Sequence, residues 1–148
     1  MKKYKSTCDR LRIVAEKSDF PNVKISSSSD AAKFIRDFYP GDIEVFESFF
    51  ILLLNRAGNT IGYAKISQGG TAGTVVDPKI IAKYAVESLA SGVILAHNHP
   101  SGSTTASEAD IRTTTKVKNG LLLLDIAVLD HVIITANDHF SFADEGVL

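Results

Sequence analysis

The stretch Gly-Val-Ile-Leu-Ala-His-Asn-His-Pro-Ser-Gly, residues 92–102, is the part of the chain around which the fold is organised. Its first five residues are a continuous apolar run, which predicts a buried strand. Two of the four histidines of the 148-residue chain, His97 and His99, follow directly. After a polar loop, Ser107 predicts the start of a helix that carries Asp110 in its first turn. Two imidazoles at a strand end and a carboxylate at the next helix start can converge on one point.

These three side chains predict a metal site. Alternate residues of a strand point to the same side, so we expect His97 and His99 to face one way. Two histidines and one carboxylate leave a fourth position for water, which is typical of catalytic zinc. Two interpretations without metal stay open. A His-x-His pair also occurs without a metal, and Ser107 with Asp110 fits a capping box, which explains both residues as helix-start features.

Composition bounds the class of protein. Apolar residues make up 45% of the chain, and the length predicts one domain. No apolar run is long enough for a membrane helix and no signal-peptide core follows Met1, so we expect a cytoplasmic protein. The single cysteine, Cys8, excludes an internal disulfide and the multi-cysteine zinc site of nucleoside deaminases. The sequence contains no GxGxxG and no P-loop lysine, so no nucleotide-binding fingerprint is present.

The charge is unevenly distributed. The net charge is −1, which argues against a nucleic-acid-binding polycation. Residues 1–24 nevertheless contain seven Lys or Arg and three acids, a net charge of +4. This basic end is interpreted either as a solvated terminal segment, packed on the domain, or as a contact for an acidic partner or phosphate.

The remaining pattern predicts an α/β domain, a mixed sheet flanked by about three helices. A first helix is capped by Ser29 or Asp30 and ended by Tyr39-Pro40-Gly41, and a second runs from Asp77-Pro78 to about Ala90. A third runs from Ser107 to about Asn119, where Gly120 stops it. The predicted strands are residues 10–16, 23–25, 47–55, 60–67, 93–97, 121–129, 132–135 and 140–142. A hairpin turn at 55–59 joins two of them, and residues 68–74 form a glycine-containing loop that is either flexible or close to a substrate.

The motif His97-x-His99, seven residues, Ser107, two residues, Asp110 resembles the JAMM (JAB1/MPN) metalloprotease signature. The sequence around the motif, His97 to Gly102 followed later by Leu129-Asp130-His131, is similar to that of the RadC family. The resemblance extends from about Ser29 to the C-terminus and includes the closing Ser141-Phe142-Ala143-Asp144. It divides the chain into a basic segment, 1–28, and a JAB/MPN domain, 29–148. The implied fold is the three-layer, cytidine-deaminase-like one, a mixed sheet between helices with zinc at one edge.

The resemblance also implies roles. His97, His99 and Asp110 would bind one Zn²⁺, and Ser107 would hydrogen-bond either the tetrahedral intermediate or the zinc-bound water. The general base would be Glu47, before the central strand, with Glu44 as the alternative outside the strand frame. His131 is interpreted either as a sheet histidine with a local partner or as a group that holds a ligand or the cleft in place. The implied activity is zinc-dependent hydrolysis of a peptide or isopeptide bond, with a peptide or protein as substrate.

Departures from the family leave alternatives open. Residues 103–106 are Ser-Thr-Thr-Ala where RadC proteins usually carry Asp-Pro-Thr-Pro, and Asn55 replaces an aspartate at the end of the central strand. The helix-hairpin-helix region of longer RadC proteins, their clearest means of gripping DNA, is not found before the domain. One alternative is a DNA-repair-associated protein that acts on or near DNA with a secondary metal site, and another is a non-catalytic scaffold.

Overall fold

A mixed β-sheet forms the centre of the molecule. The computed structural model describes residues 18–70 and 73–148. In chain order the elements are α1 (Ser28–Arg36), β1 (Ser48–Leu54), β2 (Thr60–Gln68), α2 (Pro78–Glu87), β3 (Gly92–Asn98), α3 (Glu108–Leu122), β4 (Ala127–Ile134) and β5 (His139–Ser141). The strand order is β2-β1-β3-β4-β5. Among the pairs of these described strands, β3–β4 alone is parallel, and α3 is the crossover between these two strands.

The sheet is covered on both faces, which explains why its central strands are continuously apolar. Every residue of β1 and of β3 is buried. On one face Ile51 and Leu95 pack with Ile81 of α2 and Leu121 of α3. On the other face the sheet packs against Ile35 and its neighbours in α1. The predicted mixed sheet between helices, and the three-layer architecture implied by the resemblance, are therefore confirmed.

Most predicted elements of the first two thirds of the chain are confirmed. The predicted strands at 47–55, 60–67 and 93–97 correspond to β1, β2 and β3. Asp77 caps α2 by accepting from the Lys79 N–H, and Pro78 occupies the first turn as expected. This helix ends at Glu87 rather than near Ala90, and Leu89 then adopts a positive φ of 52°.

The N-terminal predictions need correction. The cap of α1 is Ser27, whose hydroxyl accepts from the Asp30 N–H, and not Ser29 or Asp30. Residues 23–25 form only an isolated antiparallel bridge, Lys24 with Asn59, instead of a strand. The predicted strand at 10–16 and most of the basic segment 1–28 lie outside the described residues. The domain boundary at 28/29 therefore stays a prediction.

The C-terminal third contains the largest error. Gly120 does not stop α3, which continues to Leu122. The apolar run at 121–124 is consequently not a strand, because Leu121 alone is buried there while the following three leucines are exposed. The predicted strands at 121–129 and 132–135 are replaced by one strand, β4, and β5 matches the predicted strand at 140–142. Within the described residues, no helix is long and apolar enough to cross a membrane.

Candidate metal centre

The end of β3 and the start of α3 bring the three predicted ligands together. His97 is the second-last residue of β3, His99 follows the strand directly, and Asp110 is in the first turn of α3. The Nε2 atoms of His97 and His99 are 3.0 Å apart. Asp110 Oδ1 lies 3.3 Å from His97 Nε2, and its Oδ2 lies 3.8 Å from His99 Nε2.

The donor set is suited to a divalent cation. One ligand atom from each of the three residues can be chosen so that all lie within 4.8 Å of one another. Imidazole nitrogen and carboxylate oxygen are the ligand types that zinc and related metals take up in catalytic sites. His99 turns its other nitrogen, Nδ1, to the carbonyl oxygen of Ser103 at 2.9 Å, so the neutral ring keeps a lone pair on Nε2. The residues present therefore fit a metal ion.

The capping box of α3 orients Asp110. The Asp110 Oδ2 atom accepts from the Ser107 N–H at 2.8 Å and from the Ser107 hydroxyl at 2.7 Å. The Ser107 Oγ atom in turn accepts from the Asp110 N–H at 3.1 Å. With Oδ2 held in this way, Oδ1 is the oxygen nearer to His97. The capping box is thus compatible with the predicted metal site, so the two are not competing interpretations.

Burial favours the neutral form of His97, the innermost of the three predicted ligands. The side chain of His97 is only 2% exposed, whereas those of His99 and Asp110 are 16% and 17% exposed. Burial lowers the pKa of His97 to about 4, although the nearby Asp110 carboxylate opposes this shift. A neutral imidazole is the form that binds a metal.

His131 contacts the back of His97. In β4 its Nε2 lies 2.8 Å from His97 Nδ1, and its Nδ1 lies 2.5 Å from the hydroxyl of Thr114. Its ring stacks on Phe142, with centroids 4.6 Å apart, and meets the edge of Phe49. His131 is fully buried, and this burial lowers its pKa well below the usual range. The interpretation that His131 holds a predicted ligand in place thus has direct contacts in its favour. The contact of Thr114 with His131 was not predicted, because Thr114 has no local sequence signal.

Asn98, between the two histidines, faces the opposite way. Its side chain is fully buried and accepts from the Ser48 N–H at 2.8 Å. Its amide group donates to the carbonyl oxygens of Ile43 and Phe46, at 2.6 and 2.9 Å. Since Phe46 and Ser48 flank Glu47, Asn98 ties the strand that carries the histidines to the segment that carries the predicted base. Like the role of Thr114, this role of Asn98 was not predicted from the sequence.

Glu47 lines the same cavity as the predicted ligands. The cavity has a volume of about 530 Å³, and its walls include Glu47, His97, His99, Ser107, Asp110 and residues 73–76. Burial raises the pKa of Glu47, and the Asp110 carboxylate adds to this, whereas His99 and a backbone hydrogen bond from Thr74 oppose it. Glu44, the alternative base, is exposed and does not line the cavity.

The glycine-containing loop closes one side of this cavity. A Cβ placed on Gly69 would lie 1.6 Å from the carbonyl oxygen of Gly73, so the two ends of the loop touch through their backbones. Gly73 also has a φ of +127°, which glycine alone adopts without strain. These glycines are therefore explained by the loop's own closure.

A second cavity of the same volume lies at the opposite end of the sheet. Its walls are formed by Asn55, Arg56, Gly58, Ser91, Gly92, Asp125 and Leu129. Within the described ranges, only the His97, His99 and Asp110 group brings three metal-binding side chains together. The three predicted metal ligands therefore lie at the cavity at the end of β3 and not at this second cavity.

Known proteins carry the same domain. The family profile described as "RadC-like JAB domain" matches residues 25–147. A UPF0758 protein of Flavobacterium johnsoniae is 43% identical over 124 residues, which cover 84% of this chain and 53% of that protein. A UPF0758 protein of Porphyromonas gingivalis is 46% identical over 103 residues, covering 69% of this chain and 45% of the relative. The UPF0758 protein YfjY of Escherichia coli is 41% identical over 102 residues, covering 69% and 64%.

The extent of these matches establishes the family. The chain spans about half the length of the first two relatives, so their remaining parts have no counterpart in the alignment. The name UPF0758 states no activity. The match nevertheless covers the sheet, all three helices and every residue of the site described above. The chain therefore belongs to the RadC-like JAB domain family.

Proposed function

We propose that this protein is a zinc-dependent hydrolase of the JAMM type, which cleaves an amide bond of a peptide or isopeptide. The observation that carries the proposal is the convergence of His97, His99 and Asp110 on one point of a cavity that Glu47 also lines. Two imidazole nitrogens and one carboxylate oxygen are three ligands, which would leave the fourth position of a tetrahedral metal ion for a water or substrate oxygen. The arrangement fits a catalytic site better than a closed structural one.

The reaction divides its tasks among these residues. A divalent cation held there supplies a Lewis acid, which polarises the amide carbonyl and makes water acidic enough to react near neutral pH. Glu47 accepts the proton of the attacking water as the new C–O bond forms. It then donates that proton to the leaving nitrogen as the C–N bond breaks. The raised pKa of Glu47 favours the first role, because a carboxylate with a higher pKa is a stronger base.

Ser107 is proposed to stabilise the negative charge that develops on the carbonyl oxygen. Its hydroxyl lines the cavity but donates to Asp110 Oδ2 in this structure. Rotation about its side-chain bond would turn the hydroxyl to a substrate oxygen, while the backbone N–H would keep its bond to Asp110. A donor aimed at the developing charge is worth roughly 10²–10³ in rate in other hydrolases.

The test separates metal binding from catalysis. Purified protein should contain about one zinc per chain, and His99→Ala and Asp110→Ala should lose it. Glu47→Gln should retain the metal and lose hydrolysis of fluorogenic peptide and isopeptide substrates. Glu44→Gln, in the exposed alternative base, is the matched control and should keep full activity. Retention of zinc by Asp110→Ala, or full activity of Glu47→Gln, would refute the assignment.

A further inference from the structure

A buried chain of hydrogen bonds leads from His97 away from the cavity. The His97 Nδ1 atom is 2.8 Å from His131 Nε2, and His131 Nδ1 is 2.5 Å from the Thr114 hydroxyl. That hydroxyl is 2.6 Å from the backbone carbonyl oxygen of Asp110, one helical turn before it. The three side chains are at most 2% exposed, so water does not compete for these bonds. The chain begins and ends at two of the proposed ligands.

The direction of every hydrogen bond in this chain follows from the acceptor at its end, the carbonyl oxygen of Asp110. A carbonyl oxygen only accepts, so the single hydroxyl proton of Thr114 goes to Asp110 O. The Thr114 oxygen must then accept from His131, which places a proton on His131 Nδ1. A neutral His131 therefore has a lone pair on Nε2 and accepts from His97 Nδ1–H. A neutral His97 in turn has its lone pair on Nε2, the atom that faces His99 and Asp110.

We propose that Thr114 and His131 are positioning residues that hold His97 in the Nδ1–H tautomer, the form whose Nε2 can bind a metal. The role of that tautomer rests on the proposed function, whereas the tautomer itself does not. His99 reaches the same state from the surface, through Nδ1–H and the Ser103 carbonyl. The two Nε2 lone pairs then face each other at 3.0 Å beside a carboxylate, an arrangement that attracts a cation.

Thr114 and its neighbour Thr115 provide a matched pair of substitutions. Both hydroxyls donate to the carbonyl four residues earlier. Thr115, however, is exposed, and its one hydrogen bond among the described residues is to the Ile111 carbonyl oxygen, at 2.9 Å. Thr114→Val keeps the shape and removes the acceptor for His131, Thr114→Ser restores the hydroxyl, and Thr115→Val is the control. Long-range ¹H–¹⁵N NMR of the metal-free protein distinguishes protonated from unprotonated ring nitrogens, and competition with a chelator measures the zinc affinity.

The expected wild-type spectrum shows a protonated Nδ1 and an unprotonated Nε2 at His97. In Thr114→Val we expect His131 to donate through Nε2, which moves the proton of His97 to its own Nε2. The zinc affinity should fall about 10- to 100-fold, as for other supports of metal-binding histidines. Thr114→Ser and Thr115→Val should keep the wild-type spectrum and affinity.

Three results would overturn the inference: a protonated Nε2 at His97 in the wild type, an unchanged tautomer and affinity in Thr114→Val, or an equal loss in Thr115→Val. If Thr114→Val does not fold, the wild-type spectrum and the Thr114→Ser variant decide. A wild-type protein that shows the expected tautomer and binds no zinc would refute the proposed function and leave the hydrogen-bond chain intact.

Discussion

Asn98 provides the sharpest test of how the site is held together. Its side chain makes three hydrogen bonds to backbone groups of residues 43–48, and none of these partners is in β3 itself. Replacing it with alanine breaks all three and leaves a buried N–H at Ser48 without a partner. The strand pairing and both histidines stay in place, because their contacts lie on the other face.

The magnitude follows from the number of bonds. Each contributes about 0.5–1.5 kcal/mol, and a buried donor left unpaired costs about 1–3 kcal/mol. Asn98→Ala should therefore lower the free energy of unfolding by about 1.5–4.5 kcal/mol for the three hydrogen bonds, and by up to about 3 kcal/mol more for the unpaired N–H. This is a large part of the roughly 5–15 kcal/mol of a typical domain. Urea unfolding followed by circular dichroism measures this loss.

The same variant should separate metal binding from hydrolysis. Zinc affinity should change little, whereas any hydrolytic activity should fall because Glu47 is no longer fixed between Phe46 and Ser48. Asn119→Ala, at an exposed position of α3, is the control and should stay within about 0.5 kcal/mol of wild type. A loss below about 1 kcal/mol for Asn98→Ala, the worth of one hydrogen bond, would refute the reasoning.

Three further predictions concern the loop, the metal and the charge. Gly69→Ala should destabilise the protein and displace residues 73–76, because its Cβ would overlap the Gly73 carbonyl oxygen. Gly70→Ala is the control, since a Cβ at Gly70 has open space around it. Thermal unfolding should show a lower melting temperature for Gly69→Ala than for Gly70→Ala, and equal melting temperatures would contradict the loop closure. Zinc at about 100 times its dissociation constant should raise the free energy of unfolding of the wild type by about 2.7 kcal/mol. Asp110→Ala should show no such gain when both proteins are titrated with zinc and chelator. With a net charge of −1, the chain should bind duplex DNA weakly, with a shallow dependence on salt; tight binding with a steep salt dependence would favour the DNA-associated alternative.

The sequence predicted the elements whose signals are local. The continuous apolar runs of β1 and β3 and the Asp77-Pro78 helix start are features of consecutive residues, and all three are found as expected. The convergence of His97, His99 and Asp110 was predictable for the same reason. It needs only a strand end, a short loop and a capped helix start.

The errors arise where packing overrides a local signal. Gly120 is a poor helix former, at roughly 1 kcal/mol relative to alanine, but it is exposed, and Leu121 after it anchors the last turn of α3 in the core. In α1 several serines could serve as the cap. The one that does is fixed by which face of the helix, Ala31, Ala32 and Ile35, packs on the sheet.

The supporting residues of the site could not be predicted, because their partners are distant in the chain. Asn98 bonds to residues about fifty positions earlier, and His131 bonds to His97 and Thr114 across two elements. Asparagine, threonine and histidine are ordinary residues of strands and helices, so only the fold reveals their roles. The choice of Glu47 over Glu44 remains a prediction that the cavity supports.

The central claim is that His97, His99 and Asp110 bind one catalytic metal ion. The most direct measurement is an anomalous difference map at the zinc absorption edge, from crystals grown with zinc. A single peak is predicted at about 2.0–2.2 Å from the Nε2 atoms of both histidines and from an Asp110 carboxylate oxygen. A map with no peak there, or with its only peak elsewhere on the chain, would contradict the account.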